Sequence, residues 1–534
     1  MDNPIQILNT DGFPIRESMS SGYDGAGVGF GNQLSTWAAS SKSADANLLP
    51  AFDIGNARAA DLSRNDAYAK SGVQLHVDHI VGHQFKLVYK PNYLLLGLER
   101  DSQEYNDFVK LVEAKWSNFA DDSRCYLDTE RKRTFTMLVR EAVATHCKTG
   151  EITAKADWFT KRGTKYKTAI QLINYARISN PHGEMNSSTL RGGVEMDKRG
   201  AAIAYHVRKA HPNDFLINNN SHEWVRIPKE MKWGRLQFIH IFEPDGEGQS
   251  RGANAFFASL SKLKMLDKFQ ATTLQNAIVN AMYAAVIESD MNSEEVFKAI
   301  GSSGSENTML ANFMNAKADW HEQTNINLAG VKIPHLLPSE KLTLQSVSAP
   351  SSSLNEFESG ILRGIARSLG VSYEQLSGDF SKTNYSSARA AMGESFLYFM
   401  GKRETVAKRF ASNVFELWFE EALNIGDIVL PKGANLNYYE AKTAWTRCNW
   451  IGSGKVQIDG LKAIKESKEK ISAGLSTYEI ELGNDGLDYQ EVFDQQARET
   501  EELAKMGREP IWAQSKKEEK PELNENPEVD TNAD

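Results

Sequence analysis

Two long helical stripes joined by one short polar loop constrain this chain more than anything else in it, and residues 352–423 carry that pattern. In the first stripe Leu354, Phe357, Ile361, Ile365 and Leu369 recur at spacings of three and four, which places them on one helical face. Gly370 stands where a left-handed residue would close that helix. Ser372 and Gln375 have the spacing of a capping box, opening a short turn that runs through Leu376. Gly378 to Ser387 is polar and has no stripe. Beyond it Ala388, Met392, Phe396, Phe399, Val406, Phe410, Val414 and Leu417 resume helical spacing. A helix from Ser387 to Leu423 would be roughly 55 Å long. Pattern alone is satisfied by a core helix pair in a large all-α domain.

At 534 residues the chain has room for several domains, each with its own core. Its formal net charge is −9 and its pI near 5.8, where a protein built to grip phosphates would be basic. Tight electrostatic binding of nucleic acid is therefore not expected as its main task. Cys125, Cys147 and Cys448 are far apart, odd in number and form no Cys-x-x-Cys pair. Neither a disulfide frame nor a thiolate zinc site is indicated, and synthesis in a reducing cytoplasm is expected. The start, Met1-Asp2-Asn3-Pro4, lacks the charged opening and apolar core of a signal peptide.

Residues 1–45 are rich in Gly, Ser and Ala and read as a flexible N-terminal arm. Gly27-x-Gly29 has Asn32 where a dinucleotide fingerprint needs its third glycine, and no strand precedes it. Helical spacing runs from Asn56 to Gly82, then over Ser102–Phe119 and Thr134–His146. His76, His79 and His83 share a face at i, i+3 and i+7; Gly82 weakens the helix before the third could ligate, so a plain polar face is the preferred reading over a metal site. Between about 150 and 245 the texture turns β-rich, with strand-like runs Ile152–Trp158, Thr168–Ile173, Ile203–Val207 and Gln237–Phe242. Gly193–Asp197 with Arg199-Gly200 reads as a turn between strands.

A second long helix is expected over about Ala253–Ser289. Phe269–Ile287 carries no charge, yet Gln270, Thr272, Thr273, Gln275, Asn276 and Asn280 interrupt it, which suits packing against several helices better than a bilayer. No membrane insertion is expected. Residues 290–350 are mixed and turn-rich. After the long helix, Leu430-Pro431 and Leu436–Tyr439 suggest a brief strand, helices follow over Asp459–Ser472 and Tyr489–Met506, and the tail from Ser515 is acidic and expected to be disordered. Two further enzyme motifs fail on their own residues. Gly454-Lys455 lacks the opening glycine (Asn449) and the magnesium hydroxyl (Val456) of a phosphate loop, and His321-Glu322 meets Asn325 where a zinc protease needs His. No enzyme activity, cofactor or metal is expected.

The string Gly364-Ile365-Ala366-Arg367-Ser368-Leu369-Gly370-Val371-Ser372-Tyr373-Glu374-Gln375-Leu376, with Asp379 and then Asn384-Tyr385-Ser386-Ser387-Ala388-Arg389, resembles lambda-type tailed-phage portal proteins. Arg64–Tyr68, His79–Gly82 and the Gly193–Gly200 stretch resemble the same family, and the likeness runs in patches from about Asp24 to Met506. The resemblance implies an α+β, predominantly α portal fold, with long stem and tunnel helices, a β-rich wing and a C-terminal helical crown. Its implied divisions are the arm to 45, a wing over 46–252, a first stem helix at 253–289, a clip at 290–350 and a second stem helix at 351–377. A tunnel loop at 378–387, a tunnel helix with wing return at 388–452, a crown at 453–510 and a tail at 511–534 complete it.

It further implies a dodecameric ring at one capsid vertex, through which double-stranded DNA is packaged and ejected. The expected partners are the terminase large subunit, the major capsid and scaffold proteins, and a head-completion connector protein. The place is the virion, after assembly in the host cytoplasm. Another head-tail connector or coat component without a DNA channel is the competing reading. Within this frame Lys382, Asn384, Tyr385 and Arg389 are candidates for passing contacts to the DNA backbone, with Ser381, Thr383, Ser386 and Ser387 lining the loop; the alternative is that they cap the long helix or bind neighbouring subunits. Leu274, Ile278, Ala281 and Ala285 are candidates for the contact between subunits along the stem.

Overall fold

The structure is a computed structural model describing residues 40–100, 102–160, 163–214, 219–282, 286–289, 326–328, 331–333, 340–343, 352–457 and 459–514. The N-terminal arm to residue 39, most of the proposed clip and the acidic tail from Ser515 lie outside the described residues. The fold is α+β, with helices dominant.

The helical run read over Asn56–Gly82 is two helices, α1 (Ala44–Asn65) and α2 (Ala67–Ile80). The break falls at Asp66, whose carboxylate accepts from the Ala69 amide at 2.7 Å and so caps α2. Strand β1 (Lys86–Tyr89) follows, then α3 (Gln103–Ala120), capped by Ser102, and α4 (Phe135–Thr149), which ends at left-handed Gly150. Strands β2 (Glu151–Trp158), β3 (Thr168–Leu172), β4 (Leu190–Arg191), β5 (Val194–Met196), β6 (Ala202–Arg208), β7 (Trp224–Pro228) and β8 (Phe238–Phe242) make the β-rich region. The stretch read as a turn at Gly193–Asp197 is itself strand β5, and the turn is Asp197–Ala201, closed by the Asp197 carboxylate accepting from Arg199 and Ala201.

The chain forms two compact units. One takes residues up to Ile54 with Ala176–Lys229 and Phe242–Ala253. Its sheet is the antiparallel meander β4-β5-β6-β7. Gly193, with φ +81°, is required there: a Cβ would stand 2.5 Å from the Ser179 amide nitrogen. Arg251 is buried in this unit, its guanidinium over the Phe52 ring and donating to the carbonyls of Ile178 and Gly192 at 3.0 and 2.6 Å.

The other unit holds Gly55–Tyr175, Glu230–Ile241 and the chain from Asn254 onward. It contains the sheet β3-β2-β8 and a two-stranded pair between β1 and β9 (Cys448–Ile451). The expected helix over 253–289 is shorter, α5 (Leu260–Met282). The Asn254 side chain accepts from the Phe256 amide and donates to Asn56, holding a turn before it. At the far end β-branched Val286–Ser289 is extended and pairs with Glu340–Thr343. Helices α6 (Ser352–Ser368) and α7 (Tyr373–Ser377) follow as read, with left-handed Gly370 and the Ser372–Gln375 capping box between them. The strand expected near Leu436–Tyr439 is absent from these described residues; Tyr438 instead buries its ring against Phe419, and the strand is β9.

The long helix starts at Tyr385 and reaches Asn424 as α8 (Tyr385–Lys402), a π turn (Arg403–Ala407) and α9 (Lys408–Asn424). Its first half is mixed, with Ser395 and Phe399 buried and the rest half-buried or exposed, while α9 buries Phe410, Val414, Phe415, Leu417, Trp418 and Phe419. Around them Trp116 meets Phe135, Phe415, Trp418 and Trp450 at ring distances of 4.9 to 6.0 Å. Two carboxylates lie in the same core. Glu421 accepts from the Lys167 and Thr168 amides at 2.7 and 2.9 Å. Glu420 is paired with Arg235 at 2.9 Å, and that guanidinium also reaches the Leu417 carbonyl and the Thr168 hydroxyl. Removing one partner of such a pair strands a buried charge. Arg235→Ala should therefore cost about 3 kcal/mol or more, read as a lowered thermal unfolding midpoint, and Glu420→Ala added to it should restore part of the loss; a double variant worse than the single one would show that the stranded charge is not the cause.

Candidate nucleic-acid interface

The loop between α7 and α8 is shaped by its own side chains. Gly378, with φ +72°, ends α7 as its amide bonds to the Glu374 carbonyl. Asp379 accepts from the Ser381 amide at 3.0 Å. Its carboxyl is held below the usual range chiefly by hydrogen bonding from the Ser381 hydroxyl and amide, with the Lys382 charge adding to the effect. The Thr383 hydroxyl reaches Glu374 at 3.3 Å, bridging the base of the loop. Asn384 is the N-cap of the long helix: its side-chain oxygen accepts from the Ser387 amide at 2.9 Å and from the Ser387 hydroxyl at 2.8 Å.

Of the loop residues singled out in the sequence, Ser381, Thr383, Asn384 and Ser387 are thus engaged locally. Lys382 and Ser386 are exposed, and Lys382 is bound in no ion pair among the described residues. The backbone of Tyr385 begins α8. Arg389 is already helical and pairs with Glu466 at 3.0 Å, an acid whose carboxyl is lowered first by Lys470 and then by Arg389. On α5, Leu274 is exposed, Ile278 and Ala281 lie in the last turns of the helix, and Ala285 is outside the described residues.

Capping of the long helix, the alternative to a DNA contact for these residues, is what Asn384 does, and Asn three positions before Ser387 at the head of a helical stripe carries that signal. Sequence reasoning missed what becomes of the histidines. His76 is buried and donates to the Leu369 carbonyl at 2.9 Å; burial draws its pKa down to about 4, so it is neutral. His79 stacks on Phe399 with ring centroids 4.9 Å apart. These rings tie α2 to the second half of α8, which fixes where the loop emerges.

Residues 30–403, more than half of the chain, match the model of the phage portal protein, lambda family. The chain belongs to that family. As a portal protein it acts at the portal vertex of the capsid, in the virion. The portal protein is 44% identical over 511 residues to portal protein B of Escherichia phage lambda, covering 95% of this chain and 94% of that one. To the portal protein of Escherichia phage N15 it is 45% identical over 497 residues, covering 92% of each. Among solved structures it is similar to a chain in the neck of a native gene transfer agent particle computed with C12 symmetry, at a TM-score of 0.41 and 12% identity over 82% of this chain and 99% of that one. No helix among the described residues is long and apolar enough to cross a membrane.

An N-cap of this kind is worth about 1 kcal/mol. Asn384→Ala should speed amide exchange in the first turn of α8 by about fivefold while Asn384→Asp keeps the wild-type rate; equal rates in all three proteins would remove the cap from the account.

Proposed function

We propose that copies of this portal protein close into a dodecameric ring around double-stranded DNA, with residues 378–387 as the tunnel loop facing the channel. The observation that carries this reading is the loop itself, a turn satisfied by its own hydrogen bonds that leaves Lys382 exposed at the head of a long helix. A loop that must let a polyanion pass needs brief contacts, since each added phosphate contact multiplies affinity and salt dependence. A net charge of −9 on the subunit fits the same need.

In this reading 46–252 is the wing, 253–289 and 351–377 the stem helices, 290–350 the clip, 388–452 the tunnel helix and wing return, and 453–510 the crown. The clip would receive the terminase large subunit during packaging and the head-completion connector afterwards, while the wing would meet the major capsid and scaffold proteins. The protein would work as a conduit and not as an enzyme. A coat or connector component without a channel is the competing reading, and class averages of the purified protein by electron microscopy separate the two: a closed ring with a pore supports the portal channel, and a poreless particle defeats it.

Leu274, Ile278, Ala281 and Ala285 would lie along the subunit contact. Ala281→Glu should then bury an unpaired charge and block ring closure, and normal rings in native mass spectrometry would refute that packing. Lys382→Glu should leave rings intact and lower the DNA packaged or retained by severalfold. Full retention of DNA would take Lys382 out of the channel, and loss of rings would transfer the loop's role to assembly.

A further inference from the structure

Toward the C-terminus α10 (Gly460–Ser472), the short α11 (Tyr478–Asn484) and α12 (Tyr489–Lys505) have no buried residue, and α10 and α12 are rich in charge. Among the described residues no side chain of 459–506 joins the apolar core, whose last member in the chain is Trp450. The helices hold to one another: the Phe493 ring lies 5.4 and 5.9 Å from those of Tyr478 and Tyr489, and the Ser467 hydroxyl donates to Glu481 at 2.7 Å.

Among the described residues, two kinds of polar attachment join them to the rest of the unit. At the root, the chain passes through Gly452-Ser453-Gly454 against the turn at Asn484–Gly486, and the Lys455 amide donates to the Asn484 carbonyl at 2.7 Å. A Cβ on Gly454 would stand 2.5 Å from Asp485 backbone, so the two segments meet main chain to main chain. Away from the root, four ion pairs reach across: Lys86–Glu491 at 2.7 Å, Lys110–Asp494 at 3.4 Å, Arg389–Glu466 at 3.0 Å, and Lys90–Glu479. All four have the cation on the body and the acid on the C-terminal helices. Their side chains are between 38% and 64% exposed. Beneath them lie open clefts of about 450 and 320 Å³, the first holding Lys86, Lys110, Asp488, Glu491 and Asp494, the second Lys90, Lys408 and Glu479.

We propose that residues 459–506 form an electrostatically latched cap, pivoting on the Gly452–Gly454 root and released when its ion pairs are screened. Away from the root, helices with no anchor in the core depend on the charge pattern to stay down. Exposed charges attract one another over a screening length of about 10 Å at 0.1 M salt, shrinking to about 3 Å at 1 M. The four pairs share one polarity and act in concert, with Glu113 of α3 the body acid that faces Asp488 and Glu491 in the first cleft, and reversing a cap charge sets it against its own body lysine. The latch is independent of whether the loop at 378–387 faces DNA.

The test is backbone amide exchange of the full-length protein at low and high sodium chloride. Raising salt from about 50 mM to about 500 mM should speed exchange in α12 and in the β1 and α3 segments beneath it by on the order of tenfold, with α9 unchanged. Glu491→Lys should open the cap at low salt, and Lys86→Glu added to it should restore protection; Asp494→Lys with Lys110→Glu gives an independent swap on exposed positions. Exchange in α12 that ignores both salt and Glu491→Lys would overturn the latch, as would single reversals that the paired swaps fail to rescue.

Discussion

Everything in the larger unit depends on burying α9 from nearly all sides while two of its carboxylates go in with it. A buried carboxylate is costly unless it is paired or accepts several hydrogen bonds. Here each one is met by a different neighbour. Glu421 takes two amides at the start of β3, and Glu420 takes the Arg235 guanidinium from the segment leading into β8. Just past the helix, Asp427 collects Lys115 of α3 together with Lys165 and Tyr166 ahead of β3. Burial would raise the Asp427 carboxyl, but hydrogen bonds from Lys165, Tyr166 and Lys115 outweigh it and bring it to about 2. Apolar packing supplies most of the adhesion, whereas these acids fix which strand meets which turn of the helix.

The same helix has to leave that core and run on in the open. The π turn lies between α9 and the still buried Phe399, and one extra residue in the turn rotates the face that follows it. Arg403 sits at this junction, donating to the carbonyls of His79, Ile80 and Ser453 at 2.9, 2.7 and 2.6 Å. Burial lowers its pKa to about 10, which leaves the guanidinium charged at neutral pH. Among the described residues carbonyls alone satisfy it, and they come from the end of α2 and from the root of the C-terminal helices. One side chain therefore fixes the helix break, the end of α2 and the departure of the chain toward residue 459.

Much of this was legible in the sequence, and the failures share a cause. The stripes gave α3, α4, α6, α8 and α9 within a few residues, because amphipathic periodicity is a local signal. The capping box at Ser372 and the left-handed Gly370 were equally local. What escaped was decided at a distance or by a single polar atom. Asp66 splits a continuous stripe by capping, Val286–Ser289 is drawn into pairing with Glu340–Thr343, and Tyr438 is claimed by the core instead of a strand. The π turn gives no periodic warning, since Val406 stays on the stripe either way. At the loop the residue types were readable, yet composition could not divide side chains that hold the turn from side chains left exposed.

That division bears on how such a loop could meet a moving polyanion. A turn that depended on its ligand for order would give up conformational entropy at every encounter and regain it at every release. Here Asp379, Thr383 and Asn384 close the turn before anything arrives, so contact would require no reorganisation. Among the described residues Arg389, drawn aside by Glu466, adds no second free cation next to Lys382. In the proposed ring each subunit would thus offer the phosphates one mobile ammonium instead of a fixed, bidentate fork. A lysine binds phosphate as a point charge and an arginine as a directed pair of donors. The first can hand a phosphate on at little cost, and the second would hold it in place.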